Sequence, residues 1–344
     1  MYSNFSSLRK RLGILRQHIY QKYISIPFAL AVSNYTNADV SFFFNFHTSP
    51  YGGGNQFLKG LWREFKLRGL KLENNRISHT TKACLFNSHN FHHERLRKFN
   101  IPECFFVHRV DGPLSVYRGS EDRIDHNIWK LNIDFANATI FQSNYSIKKH
   151  AELGMQFVNP HVIHNAADPA IFHSIGRIPF DSGRKIRLVS VSWSNNPNKG
   201  GKIYKWLEEN LNWDQFEYTH IGRTCIPLER ANVVPPIPSR KLAEILRQQD
   251  IYINASKNEA CSNSLIEALS CGLPVLYINS GSHLEIVKEA GLRFQSEIEL
   301  SDLLDKLVDN YEYHQSRISL PTLLETADKY LQVMGLVLKP NRNL

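Results

Sequence analysis

The chain lacks acid at its start, has few cysteines, and contains no long apolar run. No aspartate or glutamate precedes Asp39, while Arg9, Lys10, Arg11, Arg16 and Lys22 are all basic. Five cysteines, Cys84, Cys104, Cys225, Cys261 and Cys271, form no CxxC pair. That argues against a zinc ribbon or a disulfide framework, and reduced thiols in a cytoplasm are expected. No stretch is apolar and long enough to span a bilayer, and charges interrupt every candidate core of a signal peptide. "HNFHHE", with His89, His92, His93 and Glu94, lacks the helical HExxH pattern, so no metal is expected. A Rossmann GxGxxG, a Walker loop and a DxD motif are missing too. RNP, helix-turn-helix, KH and zinc-finger patterns are likewise missing, and no nucleic-acid partner is expected.

What is present fits a folded α/β protein. At 344 residues, 42% hydrophobic and 21% charged, the chain is long enough for two domains of roughly 150 residues each. The net charge of +9 is weighted toward the first residues. Over "LRKRLGILRQHIYQKYI", Leu8, Leu12, Leu15, Ile19 and Tyr23 recur at helical spacing beside a basic face. Residues 1–24 therefore suit either an anionic membrane surface or the flank of their own domain.

The first strand, "DVSFFFNF", is apolar enough for burial on both faces, as in a parallel sheet. Gly52, Gly53 and Gly54 follow, then Phe57, Leu58, Leu61 and Phe65 at helical intervals. A strand, glycine turn and helix in that order let a backbone approach a phosphate, although an ordinary tight turn fits equally. "KACLFNS", "ECFFVHR", "ATIFQS" and "HVIHN" read as further strands, with helices in "DHNIWKLNIDFAN" and "YSIKKHAELG". After the linker-like "HSIGRIPFDSGRK", strands "IRLVSVSW", "FEYTHIG", "DIYINAS" and "PVLYIN" alternate with helices "KIYKWLEENL", "SRKLAEILRQQ" and "SHLEIVKEAG". The expectation is a basic arm (1–39), two parallel-sheet domains (40–173 and 174–320), and a C-terminal helical segment (321–344) free to cross back to the first. A cleft between the carboxyl ends of the two sheets would hold a ligand.

Within "KNEACSNSLIEALSCGLPVL", seven residues separate Glu259 from Glu267. Leu265, Ile266 and Leu269 mark a short helix with Asn263 or a neighbouring serine as its cap, and Ser264-x-x-Glu267 matches a capping box. Capping accounts for Glu267 but not for Glu259, which precedes the helix at the mouth of the cleft.

The segment resembles the E-x7-E signature of retaining glycosyltransferases of family 4. "VIHNAADPAIF", "NPNKGG", "SGSHLEIV" and "ATIFQSNYS" are similar to further segments of that family, in order from about residue 41 to residue 295. "HRVDGP" resembles an "HR.DGP" subgroup. The resemblance implies the GT-B fold, two Rossmann-like domains facing each other across a cleft, and a nucleotide diphosphate sugar as co-substrate with no cofactor. It implies that Glu259 binds hydroxyls of the donor sugar and Glu267 the ribose. Lys199 and the amides of Ser262, Asn263 and Ser264 would meet the diphosphate, opposite Gly53 and Gly54. His108 would sit beside the transferred sugar, with Arg109 and Asp111 facing donor or acceptor. One departure stands out: Ser192-Trp193 replaces the family's usual Gly-Arg, leaving Arg223 or Arg109 to substitute for the arginine.

The resulting expectation is a metal-independent, retaining hexosyltransferase of polysaccharide or glycolipid synthesis. It would be cytoplasmic or peripheral on the inner face of a membrane, with a glycan or glycolipid acceptor. The alternative is a non-catalytic GT-B accessory protein that binds a nucleotide, glycan or anionic polymer.

Overall fold

The computed structural model describes residues 37–48, 52–89, 91, 93–96, 103–119 and 123–336. The basic amphipathic stretch near the start lies outside them. Among the described residues are two six-stranded sheets in which every recorded pairing is parallel. The first contains β1 (Val40–Phe43), β2 (Leu72–Asn74), β3 (Ala83–Asn87), β4 (Phe105–Val110), β5 (Ala138–Phe141) and β6 (Pro160–Val162), in the order β2-β1-β3-β4-β5-β6. The second contains β7 (Ile186–Ser192), β8 (Phe216–Gly222), β9 (Asn232–Val234), β10 (Ile251–Asn254), β11 (Val275–Ile278) and β12 (Gly291–Phe294), in the order β12-β11-β10-β7-β8-β9. Each order reverses once, between β1 and β3 and between β7 and β10. Loops leaving adjacent strands at such a point diverge and open a crevice.

The central strands β1, β3, β5, β10 and β11 are buried along their whole length because helices cover both faces of each sheet. On one face of the second sheet, Val189, Tyr252 and Val275 pack with Leu265, Ile266 and Leu269 of the helix Asn263–Ser270. On the other, Leu188, Ile253 and Leu276 pack with Leu207 and Leu304. The first sheet packs Val40, Phe42 and Leu85 against Phe57, Leu58 and Leu61 of the helix Gly53–Leu67. Leu323, Ala327, Tyr330 and Leu331 of the helix Leu323–Val333 join that same core. The last described helix thus lies on the first sheet although it follows the second in sequence. A Thr322–Glu325 capping box fixes its start, and each large apolar side chain it buries contributes about 1.5–3 kcal/mol.

The short edge strands β2 and β9, and β12, are not evident in the sequence pattern. The helix expected over "SHLEIVKEAG" is also shorter, His283–Val287. Lys288 ends it at φ 52°, and the following residues enter β12, paired with β11 from Gly291. No described helix is long and apolar enough to cross a membrane.

Candidate functional site

A cavity of about 280 Å³ lies between the carboxyl ends of the two sheets. The second sheet supplies most of its wall. The end of β7 gives Ser192, and beyond it come Trp193, Ser194 and Lys199; beyond β10 come Glu259, Ser262, Asn263, Ser264 and Glu267. The first sheet contributes Gly52, Gly53, Gly54, Gln56 and Tyr117.

Lys199 and Glu259 reach the cavity from loops on either side of the strand-order reversal, and they form an ion pair. Gly200, at φ 86°, makes the turn after Lys199 possible: a Cβ there would stand 2.5 Å from that of Ala255. The Glu259 backbone is fixed from behind. Ser282 N–H donates to its carbonyl at 3.0 Å, and Gly281 lies so close that a Cβ would be 2.5 Å from that same oxygen. Burial lowers the Lys199 pKa, but the charge of Glu259 and the nearby Tyr117 outweigh it, so the ammonium is held above its usual range.

Glu267 differs from Glu259. Its carboxyl is buried in the cavity wall, and burial alone raises its pKa to about 8. The capping box expected of Ser264 and Glu267 is not formed. The helix begins at Asn263 with Ser262 in the cap position, so Ser264 is already a helical residue. Its hydroxyl instead accepts from the Tyr252 phenol at 3.0 Å, which leaves the Glu267 carboxyl facing the cavity.

Two helix N-termini meet here. The helix Gly53–Leu67 and the helix Asn263–Ser270 start against each other, with Gly53 packed on the Asn263 side chain. Asn165 Nδ2 holds that side chain by donating to Asn263 Oδ1 at 3.0 Å. Unsatisfied N–H groups and the positive ends of both dipoles converge, an arrangement that favours an anion. Further ties hold the cleft closed. Glu285, beyond β11, accepts from the amides of Asn144 and Tyr145 at 2.9 and 2.8 Å, at the start of the first-domain helix Asn144–Glu152. Those bonds and His164 bring its carboxyl down to about 2 against the opposing effect of burial.

Four residues expected at the site, His108, Arg109, Asp111 and Arg223, lie outside the cavity lining. His108 is fully buried on β4, stacked on Phe86 at 4.2 Å. Its Nε2–H donates to the Ser88 carbonyl at 3.2 Å while Nδ1 accepts from Asn132 at 3.2 Å, and burial lowers its pKa to about 3. It is a neutral ring locked inside the sheet. Arg109 is equally buried: it donates to Tyr330, Asn87, Asp111 and Asn165, tying β4 to the C-terminal helix. Asp111 accepts from Arg109, Ser88 and Gln142 and does not line the cavity. Its neighbour Gly112 packs on Ala260, so the loop itself reaches the one carrying Glu259. Arg223 is exposed behind the wall, 4.9 Å over the Trp193 ring and bonded to the Trp193 carbonyl at 3.0 Å.

Residues 225–319 match the family model described as glycosyl transferases group 1. That segment is similar to a group 1 glycosyl transferase domain. It carries Glu259, Glu267 and the helix Asn263–Ser270 together. The GPI3 subunit of phosphatidylinositol N-acetylglucosaminyltransferase from Saccharomyces cerevisiae is 24% identical over 116 residues, covering 30% of this chain. The match spans 26% of that protein, about a quarter of its length. Sucrose-phosphate synthase from Thermosynechococcus elongatus superposes with a TM-score of 0.61 at 14% identity, over 86% of this chain and 94% of that one. HepE from Anabaena, solved with UDP and glucose, gives 0.61 at 14% identity over 86% and 96%. A glycosyltransferase from Rickettsia africae gives 0.64 at 12% identity over 87% and 98%. The fold is that of the GT-B glycosyltransferases, two Rossmann-like domains facing each other across a cleft.

The sequence pattern gave no sign of Tyr117, Gln56 or Ser194 in the cavity wall. Tyr117 follows the "HRVDGP" stretch by four residues, but only the close approach of the two domains puts it in the cleft. Among the described residues, no group of three or more His, Cys, Asp or Glu is placed to hold a metal ion.

Proposed function

We propose that the protein is a glycosyltransferase that moves a hexose from a nucleotide diphosphate sugar to a hydroxyl of a glycan or glycolipid. We take the transfer to proceed with retention at the anomeric carbon, in the cytoplasm or at the inner face of a membrane. The observation that carries this reading is the cavity itself. A lysine paired with a carboxylate, a second buried carboxylate and two opposed helix N-termini line one crevice. These groups match the parts of such a donor. The diphosphate takes Lys199 and the amides around Asn263; Glu259, released from Lys199, accepts sugar hydroxyls; Glu267 faces the ribose. HepE was solved with UDP-glucose, and its shared fold supports the same donor class here.

In this reading the bond between the anomeric carbon and the phosphate oxygen breaks as the acceptor oxygen approaches the same face. The leaving phosphate oxygen takes the acceptor proton. Negative charge grows on the diphosphate, where Lys199 and the helix amides stabilise it more strongly than in the ground state. The oxocarbenium-like carbon needs no protein nucleophile, and the step as written uses none.

Thermal stabilisation and slow hydrolysis measured against UDP-, GDP- and ADP-sugars test the proposal, with Glu259→Ala as control. One donor class should raise the unfolding temperature by mass action and be hydrolysed, with both effects lost in the variant. Absence of any stabilisation by the panel would refute it. Lys199 being the one cation in the described cavity wall favours a second reading, an accessory protein that binds the donor without turnover. Stabilisation without hydrolysis or transfer to any acceptor selects that reading.

A further inference from the structure

Lys199 is the one cationic side chain among the described residues lining the cavity, and Glu259 already pairs with it. A nucleoside diphosphate brings more negative charge than a single shared lysine neutralises, so additional hydrogen-bond donors must meet it. Gln56 is one candidate, its amide held across the cleft by Oε1 accepting from Ser239 at 3.4 Å. Tyr117 is placed differently, beside Lys199 itself. Its ring centroid lies 5.6 Å from the Lys199 Nζ, near enough for the phenol and the ammonium to feel each other's charge.

The segment that carries Tyr117, Leu114–Arg118, belongs to the first sheet's side of the cleft but is pinned from the other side. Asn198 Nδ2 donates to the Tyr117 carbonyl at 2.6 Å, and Asn258 Nδ2 donates to the Val116 carbonyl at 3.2 Å. These asparagines are the immediate chain neighbours of Lys199 and Glu259. Anything that repositions the ion pair is therefore felt directly by the Tyr117 backbone.

We infer that Tyr117 is a donor-contacting residue, its phenol O–H hydrogen-bonding the diphosphate beside Lys199, so that the first domain helps to hold the leaving group. The inference rests on the nucleotide-sugar reading above. The chemistry suits the place. Burial raises the phenol's pKa against the opposing charge of Lys199, which keeps the O–H protonated and able to donate. A neutral donor also meets the phosphate without competing with Lys199 for Glu259. When a phosphate oxygen draws Lys199 away from Glu259, the hydroxyl needs only to rotate to follow.

The test is Tyr117→Phe, which removes one oxygen and keeps the ring. UDP, GDP and ADP, with the matching monophosphates, are titrated calorimetrically into wild type and variant. For the diphosphate that the wild type binds, Kd should rise about tenfold, the loss expected for a hydrogen bond to a charged group, with kcat reduced as well. The corresponding monophosphate should bind both proteins within about twofold, and the unliganded unfolding temperature should fall by no more than about 4 °C, the loss of a single polar contact. Equal diphosphate affinity in both proteins overturns the inference and leaves the nucleotide-sugar reading standing. So does a parallel loss for mono- and diphosphate, which would mark Tyr117 as a packing residue. Failure of the wild type to bind any of the nucleotides overturns both.

Discussion

Glu267→Gln tests whether the cavity holds a neutral carboxyl. The side chain is 8% exposed, and burial moves its pKa from 4.5 to about 8. Between those values the folded protein keeps a proton that the unfolded chain has released. Stability therefore falls as pH rises through that window, and the loss is complete above about 8. At 1.36 kcal/mol per pH unit the full difference is about 5 kcal/mol. An effective interior dielectric well above that of dry protein reduces the expected loss to about 2 kcal/mol. Glutamine keeps the shape and has no proton to lose. Urea denaturation at pH 5, 6, 7, 8 and 9 should give wild-type and variant curves that run together near pH 5. They should separate progressively, with the variant about 2 kcal/mol more stable at pH 9. Curves that stay parallel across the whole range would refute a raised pKa at this position.

Gly53→Ala places a methyl group against Asn263 Cβ, closer than van der Waals contact permits. The two helix starts must part, so turnover should fall at least tenfold while the secondary structure read by circular dichroism persists. Adding Asn263→Gly should recover part of the activity, and a fully active single variant would show that the close approach is dispensable. Arg109→Met strands three buried partners, Tyr330, Asn87 and Asn165, and the partly exposed Asp111, and should cost about 3–5 kcal/mol by chemical denaturation. Unchanged stability with lost donor binding would return Arg109 to the site.

The glutamate pair, Lys199 and the glycine turn were legible because each follows a strand in an alternating pattern, and chain order alone puts such loops at one end of a sheet. His108 and Arg109 were not, since a polar residue near a strand end reads the same whether it points into a cleft or into the sheet. What decides for His108 is a pair of distant partners, Ser88 and Asn132, which satisfy both ring nitrogens. For Arg109 it is Tyr330, 221 residues away. The capping box failed for a related reason. Its spacing was correct, but the helix start falls one residue before Ser264, and a box requires the serine at the cap itself. Edge strands of three residues, β2 and β9, have too few side chains to show a period.

Two glutamates separated by seven residues come to differ in charge because of what surrounds them, not because of their own chemistry. Glu259 sits at the cleft mouth bonded to an ammonium, whereas Glu267 is enclosed one helical stretch further on with burial as its dominant influence. Below about pH 8 the enclosed carboxyl is neutral, the Lys199–Glu259 pair sums to zero, and the converging helix N-termini leave the cavity attractive to an anion. Ionisation of Glu267 reverses that balance by adding an unpaired negative charge to the same wall. Under the proposed function, a diphosphate entering at neutral pH would meet lysine and amides without that repulsion. Separating the two environments along one short stretch therefore leaves the cleft with two carboxylic acids and room for the anionic donor proposed here.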